Sequence, residues 1–159
     1  MRKNGFTLVE ILIYIAILAV VSVVIVNSLL VMMKSFHGYR IARFVNVNGA
    51  MAIERVVREI RFAGDIGEES ILDVSPGKLV FGDLEIFVSN SELMLKDGDA
   101  DAVSLTSDKV QVENLVFKEI ETINSKAVKI EVEFKSSRGT YQKTAKFYDT
   151  VVLRGSYGE

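Results

Sequence analysis

Few side chains in this sequence could do chemistry, and they are oddly placed. There is no cysteine and a single histidine, His37. Thiol catalysis, disulfides and Cys-ligated zinc are therefore excluded, a multi-His metal site has no ligands, and a Ser-His triad would have one possible base. Asp97-Gly98-Asp99-Ala100-Asp101 sets carboxylates at alternate positions, and Asp108 stands eleven residues after Asp97. That is the ligand spacing of a calcium loop. The sixth position, however, is Ala102 where such a loop requires glycine, and no helical pattern flanks it, so the stretch reads as a solvated acidic turn that holds no calcium. His37, between Phe36 and Tyr39, follows an apolar run and reads as an interfacial residue. No phosphate loop, paired catalytic carboxylates or nucleophile elbow is present, and neither an enzyme activity nor a cofactor is expected. One carboxylate resists a bland reading, and it is Glu10.

Glu10 stands at the entrance to an oily segment. From Ile11 to Met33 no residue is charged. As a helix this run is roughly 35 Å long. The hydrocarbon core of a bilayer is about 30 Å thick, so the run spans it with some tilt. A secretory signal peptide would need a shorter apolar run. A plain single-pass anchor fits the length, but neither alternative uses a carboxylate beside Phe6-Thr7-Leu8-Val9, where it is costly without a partner. A third alternative supplies the partner. Cleavage after Gly5 would make Phe6 the N-terminus, and its ammonium would lie one helical turn from Glu10. In an assembly of parallel helices, each ammonium can then meet a neighbour's carboxylate, and a pair of charges is tolerable where a single one is not. The cations do not settle orientation, because Arg2 and Lys3 lie on one side of the run and Lys34, Arg40 and Arg43 on the other.

The stretch KNGFTLVEILIYIAIL resembles the class III leader of type IV pilins and type II secretion pseudopilins: a glycine, an aromatic residue, Thr-Leu-Val-Glu, then an apolar helix. The resemblance implies that a prepilin peptidase cuts between Gly5 and Phe6 and N-methylates Phe6. It implies that Glu10 neutralises a neighbour's N-terminus and aligns subunits. It places the protein in the inner membrane as a single-pass subunit, with the leader in the cytoplasm and the globular part outside, until an assembly platform moves it into a pilus or pseudopilus. IERVVREIRFAGDI, VQVENLVFKEIE and the ending KFYDTVVLRG are similar to J-type minor pseudopilins and W-type minor pilins. The chain also lacks the helix-kinking proline and the C-terminal disulfide loop common in major pilins. The implied role is a minor structural subunit that joins other minor and major subunits to initiate or cap a fibre. The rival is a single-pass anchored β domain that binds a ligand or mediates adhesion. Net charge is −2 and the C-terminal half has no basic stripe, so nucleic acid is not an expected partner.

The elements that must carry these residues follow from periodicity. Ile41, Val45, Gly49, Ala52, Ile53, Val56, Val57, Ile60 and Ala63 fall at helical spacing. Arg43, Glu54, Arg55, Arg58, Glu59 and Arg61 fill the other face. The only proline is Pro76, so one helix of roughly 85 Å can run from Phe6 to Ala63, with Gly64 as a natural stop. Beyond Gly64 the period becomes two. KLVFGDLEIFVSNSELMLKDG reads as short strands with turns at Ser89-Asn90-Ser91 and Asp97-Gly98. In 127–136, Val128, Ile130, Val132 and Phe134 face one way, and Lys129, Glu131, Glu133 and Lys135 the other. Segments 110–121 and 140–153 read as further strands, with a turn at Ser136 to Gly139. The expectation is an α+β fold, pilin-like, with a long N-terminal helix packed on one antiparallel sheet of about five to seven strands. Its parts are a leader at 1–5, a transmembrane and assembly helix at 6–33, an amphipathic continuation at 34–64 and a β domain at 65–159.

Overall fold

No proline interrupts the N-terminal third, so no backbone donor is lost there. In the computed structural model, which describes residues 7–122, 125–139 and 141–154, this region forms one helix, α1 (Leu8–Phe62), of 55 residues. The chain divides into two units, Met1–Tyr39 and Arg40–Glu159. In the first unit the large apolar side chains from Leu8 to Met33 are all exposed. The helix is long and apolar enough to cross a membrane. Its hydroxyls suit that environment. Ser22, Ser28 and Ser35 donate to the carbonyls of Leu18 (2.7 Å), Val24 (2.9 Å) and Val31 (3.1 Å), so none needs water.

In the second unit the remainder of α1 buries Ile41, Val45, Gly49, Ala52, Ile53, Val56 and Ile60, the stripe that the periodicity picks out. Arg55–Glu59 (2.8 Å) and Glu54–Arg58 (3.9 Å) pair on its exposed side. The helix does not end on a left-handed glycine, since Gly64 has no positive φ. Instead the Ala63 N–H donates to the Ile60 carbonyl at 3.1 Å, tightening the last turn.

The β region has seven strands among the described residues, in two antiparallel sheets rather than the single sheet expected. The first sheet is β1 (Leu79–Phe81), β2 (Leu84–Ser89), β3 (Glu92–Asp97) and β4 (Val103–Ser104), in that order. The second is β5 (Gln111–Glu121), β6 (Lys126–Arg138) and β7 (Tyr141–Val152). Both are meanders. The link between them is local: the Val112 N–H donates to the Ser91 carbonyl at 2.7 Å. The open edge of β5 is covered by the loop before β1, where Asp73 and Gly77 donate to the carbonyls of Phe117 and Leu115, each at 2.8 Å. The last hairpin is also tighter than expected. β6 runs on through Arg138, which pairs with Tyr141, so Ser136 and Ser137 belong to the strand.

Helix and strands share one core. Val45, Val56 and Ile60 of α1 are buried with Leu79, Ile86 and Leu93 of the first sheet, and with Leu115, Phe117, Ile130 and Phe134 of the second. Each such side chain contributes about 1.5–3 kcal/mol by leaving water. The closest approach is at Gly49, where a Cβ would lie 2.5 Å from the Phe147 ring and 2.9 Å from Phe134. Those rings meet edge to face, with centroids 5.7 Å apart. Glycine here lets the helix settle onto the sheet. The opposite face of β5–β7 is charged, as the alternation requires. Glu131 pairs with Lys129 (2.8 Å) and Lys118 (3.3 Å), Glu133 with Lys146 (3.2 Å), and Glu113 with Lys135.

Candidate functional site

The N-terminal end of α1 is where the sequence concentrates its chemistry. Gly5 and Phe6 lie outside the described residues; Glu10 lies within them. Thr7 precedes the helix and Glu10 is its third residue. The Thr7 N–H donates to Glu10 Oε2 at 2.8 Å and the Thr7 hydroxyl to the same oxygen at 3.0 Å. The Glu10 N–H donates back to Thr7 Oγ1 at 3.3 Å. This is a capping box: two helix-end donors that the helix cannot satisfy are met by side chains three residues apart. A carboxylate in the first turn also faces the positive end of the helix dipole. From the sequence, Glu10 is a charge with no partner in its own chain. The structure corrects this, because Thr7 is a partner, and a plain anchor helix would use Glu10 in the same way. The signal was present as Thr-x-x-Glu before an apolar run.

The capping box occupies Oε2 alone. Among the described residues Oε1 accepts no hydrogen bond. The site therefore combines a helix cap with a carboxylate oxygen open to a donor from outside. In a chain beginning at Phe6, the ammonium would stand one residue before Thr7.

The other candidates are scattered. His37 sits on an exposed position of α1 and has an interaction within the molecule. Lys34, Arg40 and Arg43 are exposed further along the same helix. Asp97 ends β3, Asp99 and Asp101 lie in the loop to β4, and Asp108 lies beyond β4; all four are exposed. Among the described residues no three acidic or histidine side chains come together as a metal-binding group.

The titration shifts in the Arg40–Glu159 unit follow from surface ion pairs. A hydrogen bond from Lys126, then one from the Ile66 N–H, holds Asp65 below the usual carboxylate range, and the same pair raises Lys126. Lys78 lowers Glu85. Lys129 and then Lys118 lower Glu131, and Glu133 raises Lys146. Each shift has a structural ion pair as its cause, and none pairs a carboxylate with a nucleophile or a second acid.

Comparison with known proteins adds one finding, confined to the end that carries Glu10. No curated protein and no solved structure matches the chain. Residues 1–26 match the family model of the prokaryotic N-terminal methylation motif. The match supports a structural subunit rather than an enzyme, and the apolar helix that follows fits membrane anchoring. The motif is consistent with the class III signal of the type IV pilin and pseudopilin superfamily; it supports a pilin- or pseudopilin-like precursor, and a signal of that type implies processing by a prepilin peptidase and assembly with other pilin subunits.

Proposed function

We propose that the protein is a minor pilin or pseudopilin. After cleavage between Gly5 and Phe6 and methylation of Phe6, it joins other subunits in the inner membrane and helps to initiate or cap a type IV pilus or a type II secretion pseudopilus. The observation that carries this reading is the methylation motif over residues 1–26, with Glu10 at the mouth of an exposed apolar helix. Physics supports the route. A helix without charge from Ile11 to Met33 moves from lipid to a bundle of similar helices between two apolar surroundings, so extraction does not require hydrating it. Glu10 makes that bundle specific, because a carboxylate and an ammonium tolerate apolar surroundings only as a pair. The minor role rests on the resemblance of the helix end and last strand to such subunits, and on the absence of cysteine and of a proline within α1.

Co-purification tests this reading. The tagged full-length protein, expressed with a prepilin peptidase and other pilin-type subunits from the same source, is extracted in mild detergent. The expected result is stoichiometric recovery of at least one other pilin-type subunit. Recovery of the protein alone, under conditions where a control minor subunit brings down its partners, favours the single-pass anchored β domain instead.

A further inference from the structure

A cavity of about 410 Å³ opens in the Arg40–Glu159 unit. It is lined by Arg40, Ile41 and Phe44 of α1, by Lys109 in the turn before β5, and by Ser136 and Ser137 of β6. Its polar side chains share one chemistry. Arg40 and Lys109 are cations, Ser136 and Ser137 can donate from their hydroxyls, and no carboxylate is among the described lining residues. Neither cation has an ion pair among the described residues, although most of the lysines on β5–β7 do. Ser136 is only 5% exposed as a residue, but its hydroxyl, which bonds to no other described residue, is not itself sealed from solvent and belongs to the cavity lining. A hydroxyl so placed can donate to an acceptor that enters the cavity. The nearest acid in sequence, Asp108, is exposed and accepts from the Ser107 hydroxyl at 3.2 Å.

We infer that this cavity holds the phosphate of a glycerophospholipid head group. A guanidinium fork, an ammonium and hydroxyl donors around one space are complementary to a phosphodiester. Phe44 and Ile41 supply an apolar wall that a free inorganic ion would not use, and that the glycerol and first methylenes of a lipid would. The location in the chain favours a lipid over a soluble anion. Arg40 is the seventh residue after Met33, where the uncharged run ends, and basic residues close to such a boundary meet phosphates. The inference goes beyond the pilin-like reading and needs an anchored chain but no cleaved leader, so either can fail without the other.

Native mass spectrometry of the full-length protein tests it. The protein is released from neutral detergent micelles that contain equal amounts of phosphatidylglycerol and diacylglycerol, and retained lipid is counted. The wild type is expected to keep one phosphatidylglycerol and no diacylglycerol. Arg40→Gln/Lys109→Gln should lower retention about tenfold, and Ser136→Ala about threefold, as charged and neutral hydrogen bonds are lost. Arg40→Lys keeps the charge but not the fork and should fall between. Arg61→Gln/Lys96→Gln changes net charge equally at positions outside the cavity and should leave retention intact. Equal retention by wild type and Arg40→Gln/Lys109→Gln would overturn the proposal. So would equal retention of diacylglycerol, or binding of millimolar inorganic phosphate without any lipid. Loss of subunit co-purification with lipid retention unchanged would assign the cations to a neighbouring protein and also refute it.

Discussion

Glu10 caps its own helix, and the proposed function gives it a second duty toward a neighbouring subunit; substitution can divide the two. Within the chain, Oε2 accepts from the Thr7 N–H at 2.8 Å and from its hydroxyl at 3.0 Å. Glutamine at this position keeps an acceptor oxygen, so Glu10→Gln preserves the cap and removes the charge. Thr7→Val does the reverse: it loses the hydroxyl and keeps the carboxylate. Loss of a helix cap costs about 0.5–2 kcal/mol, and in a 55-residue helix that loss is confined to the first turn. Removing one member of a desolvated ion pair costs about 3–5 kcal/mol. At about 1.4 kcal/mol per tenfold, the first effect is at most about thirtyfold and the second exceeds about a hundredfold. The assay is the fraction of subunit recovered in sheared fibres or in co-purified subunit complexes, measured against total membrane protein. If Glu10 pairs with a neighbour's ammonium, Glu10→Gln and Glu10→Ala fall together by more than about a hundredfold, and Thr7→Val falls far less. Wild-type incorporation of Glu10→Gln, with Thr7→Val and Glu10→Ala both impaired, would refute the reasoning and leave Glu10 as a cap and nothing more.

Three further outcomes follow from the packing and the charges. Gly49→Ala should destabilise the Arg40–Glu159 unit by about 1–2 kcal/mol, because overpacking against Phe147 outweighs the gain of up to about 1 kcal/mol in helix propensity; denaturant melts that place the variant above wild type would contradict the close approach. Asn27 is the one amide in the uncharged run, and its side chain makes no hydrogen bond among the described residues, whereas the nearby serines are satisfied. Asn27→Leu should weaken helix association in lipid by about 0.6 kcal/mol, read as a shift in a dimerisation reporter, and no shift would deny Asn27 that role. Asp65, Glu85 and Glu131 titrate below their ordinary range, so their contribution is present above the unfolded carboxylate pKa and lost as pH falls through the folded one. The thermal midpoint of the full chain in neutral detergent, followed by its tyrosine signal, should hold to about pH 5 and then fall, less steeply at high salt; a midpoint that rises on acidification would reverse the sign.

The helix was legible because its cause is local. An uninterrupted apolar run and a 3.6-residue stripe from Ile41 to Ile60 need no knowledge of the rest of the chain. β6 was equally plain, since Val128, Ile130, Val132 and Phe134 alternate and are all buried. The turns at Asn90-Ser91 and Gly98 follow the same logic and take positive φ, which small and polar residues tolerate. What escaped depends on distant partners. β4 is two residues long and exists only through its pairing with Met94 and Leu95, so no period could announce it. The chain forms two sheets because β3 and β5 meet only locally, through the Val112–Ser91 bond between residues far apart in sequence, and no short-range pattern announces where pairing stops. Gly49 looks like a weak point in a helix until the Phe147 ring is in place above it. The cavity gathers Arg40, Lys109 and Ser136 from three separate segments, and none of them is unusual alone. The capping box is local too: Thr7 and Glu10 stand three residues apart at the helix start, so its signal lies in the sequence beside the charge.

Whether this chain is a processed, pilin-type subunit is decided by the intact mass and N-terminal residue of the protein after co-expression with a prepilin peptidase. The account predicts loss of Met1 to Gly5 and a methylated Phe6 as the first residue. An uncut chain beginning at Met1, in cells where a control prepilin is cut, would contradict it and leave an anchored β domain whose Glu10 caps a helix.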